Sequence, residues 1–204
     1  SESRGLGDVY KRQDIKKAKF YVEKALDCDN RDSLAHEMLA RIYSLSKNHD
    51  QAVEAAKKAI ECNVNSSSAY MFYASALTFA NRCEEALEPI DQAIKLSPRD
   101  PRTFNFLMNK AMIVGEMGDL KLSVDLARKA VAIPQGDFRP ALILAIYCAK
   151  SGLLDEAQKA IERVLKIIPN FTLTKLKENF FSHFETKLLD LSLIHISEPT
   201  RLGF

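Results

Sequence analysis

One feature constrains this chain more than any other: small residues return at a fixed interval. Ala18, Ala52, Ala86, Ser123 and Ala157 are spaced by 34, 34, 37 and 34 residues. Another alanine follows seven residues after each of the first four, at Ala25, Ala59, Ala93 and Ala130. A further alanine stands twelve residues before each of the last four, at Ala40, Ala74, Ala111 and Ala145. Two antiparallel helices approach closely only where side chains are small, so each alanine marks an expected helix crossing, buried and intolerant of size. Between the alanines, apolar residues recur with the spacing of one helical face. The chain therefore reads as all-α: a superhelical solenoid of antiparallel helix pairs, each covering the apolar face of the next. The absence of Trp and the small number of Gly and Pro, seven of each, agree with a helical fold.

Second helices of the pairs are expected at 14–28, 49–62, 83–96, 120–133 and 154–167, and first helices at about 33–46, 67–80, 101–117 and 138–151. Asn48 and Asp119, with Ser151 or Gly152, stand near helix starts, where a side-chain oxygen or free backbone satisfies unpaired N–H groups. Gly118 and Gly152 occupy turns within a pair, where positive φ is useful. Lys47 and Asn81 hold the equivalent places in two earlier pairs. Pro98, Pro134 and Pro169 end second helices. Asp100 followed by Pro101 is expected to cap and begin a longer first helix.

These segments, DQAVEAAKKAIECN, EEALEPIDQAIKLSP and DEAQKAIERVLKIIP among them, resemble tetratricopeptide repeats, which implies a right-handed superhelix that binds other proteins. Over roughly 83–190 the likeness narrows. LSPRDPRTFNFLMNKAMIVGEMGDL, then Pro140–Ala141, Asp155–Glu156–Ala157, and IPNFTLTKLKENFF are similar to the C-terminal tetratricopeptide region of bacterial adenylate/guanylate cyclase-like proteins and winged-helix transcriptional regulators. That resemblance implies a regulatory scaffold module of a larger cytoplasmic signalling protein. The alternative is a free-standing assembly scaffold, periplasmic or membrane-associated.

The two ends read differently. Residues 3–13 (SRGLGDVYKRQ) and 191–201 (LSLIHISEPTR) are each eleven residues long and can be written as translations of opposite strands of one DNA segment, which resembles a sequencing adapter. Residues 1–13 and 191–204 are therefore expected to be scars that take no part in the fold, with 14–170 as about four and a half repeats and 171–190 as closing helices. On that expectation the chain is a fragment of a longer protein.

Chemistry is not evident. His36, His49 and His183 pair with no Cys, Asp or Glu at metal or triad spacing. Cys28, Cys62, Cys83 and Cys148 form no CxxC. Glu84–Glu85 and Asp155–Glu156 sit in first helical turns, where carboxylates complement the helix dipole. No phosphate-binding glycine loop occurs, so neither enzyme activity nor a cofactor is expected of this fragment, the alternative being an enzymatic domain in the missing part of the gene. A net charge of +2 gives no reason to expect nucleic acid, and no apolar run is long enough to span a bilayer.

Function is then expected on the concave side, lined by first helices. Position by position, the repeat places there Leu34, Glu37, Arg41 and Ser44; Ser68, Met71, Ser75 and Thr78; Asn105, Met108, Met112 and Gly115; and Arg139, Leu142, Ile146 and Ala149. Of these, Glu37, Arg41, Met71, Ser75, Met108, Met112, Arg139 and Ile146 form the candidate protein-binding surface. Its methionine-rich middle suits an apolar or helical peptide, from another protein or another domain of the same polypeptide. The competing view of Met108 and Met112 is that they only fill gaps between repeats. A basic cluster gripping a terminal carboxylate is absent: Asn109 stands where such a cluster has an asparagine, without the accompanying lysines.

Overall fold

The computed structural model describes residues 2–134 and 137–169, with side chains from residue 13 onward. Nine helices make up the described residues: α1 (Glu2–Cys28), α2 (Ser33–Leu45), α3 (His49–Cys62), α4 (Ser67–Phe79), α5 (Cys83–Leu96), α6 (Thr103–Glu116), α7 (Leu120–Ala132), α8 (Arg139–Lys150) and α9 (Leu154–Ile167). The expected closing segment 171–190 and the segment 191–204 lie outside them, as do the side chains of residues 1–12.

From α2 onward the helices pair as hairpins, α2 with α3, α4 with α5, α6 with α7 and α8 with α9. The first helices also touch one another directly, α2 with α4, α4 with α6 and α6 with α8, which puts them on the inside of the curve. The result is a superhelical stack of antiparallel pairs, the architecture that the 34-residue period requires.

The crossings fall where the small residues are. Ala52, Ala59, Ala74, Ala86, Ala93, Ala111, Ala130, Ala145 and Ala157 are fully or almost fully buried. Ser123, the one substitution in the series, is buried too and satisfies its hydroxyl by donating to the Ala111 carbonyl at 2.7 Å. Ala18 and Ala25 are exceptions to the expected burial: both are exposed, because among the described residues no helix precedes α1 to pack on its outer face. The helix itself starts at Glu2 instead of residue 14; no proline interrupts residues 2–13.

All four turns within a pair are built alike. The residue that closes the turn bonds back five positions, Asn48 to Tyr43, Arg82 to Leu77, Asp119 to Val114 and Leu153 to Cys148, at 2.8–3.0 Å. The residue before it takes positive φ, at Lys47 (60°), Asn81 (61°), Gly118 (97°) and Gly152 (76°), and bonds back three positions. This is the Schellman termination of a helix, in which a left-handed residue lets two orphan carbonyls be satisfied. Two glycines adopt it freely, whereas Lys47 and Asn81 adopt it against the steric cost of a Cβ.

Capping differs in detail from expectation. Asp119 caps α7 by accepting from the Leu122 N–H at 3.0 Å, but Asn48 makes no capping bond and Leu153 stands at the start of α9. Asp32 and Ser66, unremarked in the sequence, cap α2 and α4. Asp100 does not cap α6. Its carboxylate accepts from the Arg102 backbone N–H two residues on, so Pro101 and Arg102 form a turn and the helix begins at Thr103.

Candidate functional site

Along the inner side, α2, α4, α6 and α8 enclose a groove of about 650 Å3. Its apolar lining comes from Met71, Phe72 and Phe79 on α4, Met108 and Met112 on α6, and Leu142 and Ile143 on α8. Leu34, 62% exposed, stands at the α2 edge. The polar lining is Glu37, Arg41, Ser75, Asn105, Asn109, Arg102 and Arg139, with Ser44 and Ser68.

Most of these charged and amide groups are held by a partner one repeat away or by their own turn, with one exception. Glu37 is 3% exposed and is the groove's one carboxylate among the described residues. Ser66 and Ser68, at the start of α4, donate to its two oxygens at 2.7 and 2.8 Å, and these bonds offset the cost of burying the charge. Glu37 therefore ties α2 to α4 and has little capacity left for a ligand.

On α4 the Ser75 hydroxyl lies 2.6 Å from Asn109 Oδ1 and 2.9 Å from the Met71 carbonyl, and its single proton serves one of them at a time. Asn109 donates in turn to the Asn105 carbonyl at 2.8 Å. Arg139 reaches across from α8, donating to Asn105 Oδ1 at 3.2 Å, while its Nε bonds Asp137 Oδ2 at 2.7 Å. Burial pushes the Asp137 carboxyl up, but the Arg139 bonds outweigh it and hold the group below its ordinary range. Arg102 forms the same kind of clip with Asp100, whose carboxyl its guanidinium hydrogen bonds also hold low. Arg41 is the exception. It is exposed and has neither a hydrogen bond nor an ion pair among the described residues.

The structure brings together seven of the eight expected site residues on this groove: Glu37, Arg41, Met71, Ser75, Met108, Met112 and Arg139. Ile146 is not with them. Every residue from Pro140 to Ala149 is buried, and Ile146, 1% exposed, packs into the core shared by α6, α7, α8 and α9. Three other positions assigned to the concave face, Thr78, Gly115 and Ala149, are buried outside the groove lining as well. Thr78 donates to the Ala74 carbonyl at 2.8 Å, and the Tyr147 ring lies over Gly115. Met108 and Met112, 7% and 6% exposed, belong to the core and floor the groove at once. The repeat positions missed Met38, Phe72, Phe79, Arg102, Phe106, Asn109 and Ile143. Most of these neighbour an assigned position along the same helix, and Arg102 belongs to the lengthened turn before α6.

Among the described residues no cluster of three or more His, Cys, Asp or Glu is placed to hold a metal ion. Burial raises the Cys148 thiol to about 11, the Glu156 carboxylate adding to the effect, and Cys83 is raised by burial as well, so both stay protonated near neutrality. No described helix is long and apolar enough to cross a membrane.

The profile of the family described as Tetratricopeptide repeat matches residues 35–63, which span α2 and α3. No curated protein matches the chain. Among solved structures, it is similar to PilW, a widely conserved type IV pilus biogenesis factor, with a TM-score of 0.71 at 22% identity over 94% of this chain and 87% of that one. It is equally similar to TTC0263, a thermophilic TPR protein of Thermus thermophilus, with a TM-score of 0.71 at 19% identity over 88% and 95%. YrrB, a TPR protein with an unusual peptide-binding site, matches at a TM-score of 0.53 and 19% identity over 86% and 92%. These likenesses show the fold, a TPR-like superhelix of antiparallel helix pairs.

Proposed function

We propose that this chain is a protein-interaction scaffold whose concave groove receives a segment of a partner protein. The observation that carries the reading is the groove itself, a concave apolar floor framed by polar side chains on four successive first helices. Apolar surface kept accessible in a concavity is what a protein exposes to a partner, since nothing else offsets the cost of leaving it to water. Methionines and half-buried phenylalanines let such a floor adapt to the side chains it meets. The likeness to YrrB, with its peptide-binding site, supports the same mode.

Of the two settings expected for such a scaffold, the free-standing assembly factor is the better supported. The match covers 87% and 95% of the PilW and TTC0263 chains, so those structures hold little besides the array, and one of them is a pilus biogenesis factor. The reading as a regulatory region of a cyclase-like protein or winged-helix regulator rests on sequence phrases alone, those at 96–120, Pro140–Ala141, Asp155–Glu156–Ala157 and 168–181. The partner is then another protein that the scaffold helps to assemble.

Met108 and Met112 serve both floor and core, so a glutamate at either position would disturb packing as well as binding. Met71, half-buried on α4 at the edge of the core, separates the two better. Peptides selected from a displayed library on the purified chain should lose about tenfold or more in affinity with Met71→Glu, as expected for a central interface anchor. The helical melt should stay in place. Lys57→Glu with Lys58→Glu, on the outer helix α3, should leave binding unchanged. Binding that survives Met71→Glu but fails with the α3 pair would move the working surface to the convex side.

A further inference from the structure

We infer that the partner segment is an amphipathic helix whose apolar stripe is flanked by carboxylates, and that Arg41, Arg102 and Arg139 select for them. The inference rests on the groove reading above and specifies its ligand.

Guanidinium edges, not net charge, distinguish the groove: Asp100 and Asp137 pair with Arg102 and Arg139, and Arg41 alone has no counter-ion among the described residues. Among the described residues three arginines line it, no lysine does, and the only carboxylate is Glu37, whose oxygens are taken up by Ser66 and Ser68. Two of the arginines are set in place by the same local device. Asp100 and Asp137 each precede a first helix by a short turn, and each accepts both the backbone N–H and the guanidinium of the arginine two residues on. These clips use Nε and Nη2 of Arg102 and of Arg139, and Nη1 of each makes no hydrogen bond among the described residues. A guanidinium fixed in this way loses less conformational entropy when a carboxylate arrives. Arg41, on α2 at the opposite side of the groove, has no partner among the described residues. Lysine would supply the charge but not the planar fork that matches a carboxylate.

The helical form follows from the walls. The groove is made of helix side chains, and helices have already paired their backbone groups. An extended peptide would find no sheet edge among the described residues and would bury unpaired N–H and C=O groups. A helix satisfies its own backbone and presents one apolar stripe to the Met71, Met108 and Met112 floor, with its flanking residues at the level of the arginines.

The test is a displayed library of helical peptides with a fixed apolar stripe at i, i+3, i+4 and i+7 and flanking positions free to be Glu, Gln or Lys. Selection on the intact chain should enrich Glu. A selected peptide should bind about fivefold more tightly than its Glu→Gln twin, mostly through Arg41, whose charge is unpaired, and the gap should narrow as salt is raised. Arg41→Glu, at an exposed position, should weaken the acidic peptide by about fivefold more than it weakens the Gln twin. Enrichment of Gln or Lys at the flanks, or equal affinity of the twins, overturns the inference while leaving the groove reading intact. Binders that ignore Met71→Glu overturn the groove reading, and this inference with it.

Discussion

Replacing Gly115 by alanine sets two effects of opposite sign against each other. Gly115 lies inside α6, one residue before its end, and in a helix glycine is about 0.8–1.0 kcal/mol less favourable than alanine. On propensity alone the variant should be more stable. The packing says otherwise. A Cβ at Gly115 would lie 2.2 Å from Tyr147 Cε1, 2.6 Å from Cζ and 2.8 Å from Ser123 Oγ, where carbon contacts normally settle at about 3.5–4.0 Å. None of these neighbours is the loose end of a flexible chain. Tyr147 is fully buried, with its hydroxyl 3.1 Å from Glu116 Oε1 and 3.2 Å from the Met112 carbonyl, and Ser123 is held on the Ala111 carbonyl. Overpacking of this kind costs about 1–3 kcal/mol, and moving the ring forfeits a hydrogen bond worth about 1 kcal/mol.

Packing should win by about 1–3 kcal/mol, which for a chain of this size lowers Tm by roughly 3–10 °C. Thermal and urea melts followed by far-UV circular dichroism measure it. In a Tyr147→Leu background the ring is gone, and the same Gly115→Ala change should cost little or turn stabilising, a coupling of more than about 1 kcal/mol. Gly118→Ala is the control: its Cβ meets nothing within 4 Å, but its φ of 97° still penalises alanine by about 1–2 kcal/mol, independently of Tyr147. A Gly115→Ala chain as stable as the parent, or a cost unchanged in the leucine background, would refute the reasoning.

Lys47→Gly should stabilise the chain by about 0.5–1 kcal/mol in urea melts, since relief of a left-handed lysine exceeds the entropy glycine adds to the unfolded chain; Asn81→Gly should gain less, because asparagine tolerates this region better. Ala111→Leu or Ala145→Leu should overpack a helix crossing and cost about 1–3 kcal/mol, and an unchanged melt in either would mean that the repeat register is misassigned. Cys148 makes stability fall with rising pH: the folded thiol holds its proton to about 11, the unfolded one loses it near 9.0, so the unfolded state binds fewer protons between those values. Melts of Cys148→Ala should therefore decline less steeply than the parent's across that alkaline window, and parallel curves would remove the thiol from the account.

The fold was legible because the period is a statement about close approach. Alanines at a fixed interval locate crossings, crossings locate helices, and from α2 onward the expected boundaries fall within a few residues of the observed ones. Even the irregular turns followed: Lys47 and Asn81 stand where glycine is normal and take its backbone conformation. Depth was not legible. A repeat position says which way a side chain starts out, but not what else arrives above it. Ile146 shares its position with groove residues but is sealed in the core that α6, α7, α8 and α9 share. Gly115 looked like an open concave site until a tyrosine from the next repeat was seen to occupy the place of its missing side chain. Glu37 looked like a ligand-binding charge, and serines from the following repeat consume it. In each case the deciding group comes from a different repeat, so a reading made one repeat at a time could not register it.

Those cross-repeat contacts also bear on how the groove works. A solenoid joined only by apolar packing can slide and flex between repeats, because dispersion contacts are individually weak and non-directional. Here α6 and α8 are tied near both ends by pairs 34 residues apart, Asn105 with Arg139 at 3.2 Å and Glu116 with Lys150 at 3.3 Å, while Tyr147 is locked over Gly115 between them. Directional bonds at both ends fix the angle between two helices as well as their distance. By contrast α2 and α4 are joined by Glu37 through Ser66 and Ser68 at one end, and Arg41, one turn further along α2, has no tie to α4 among the described residues. The α6–α8 wall is thus set before a partner arrives, and less of the binding free energy is spent on ordering it.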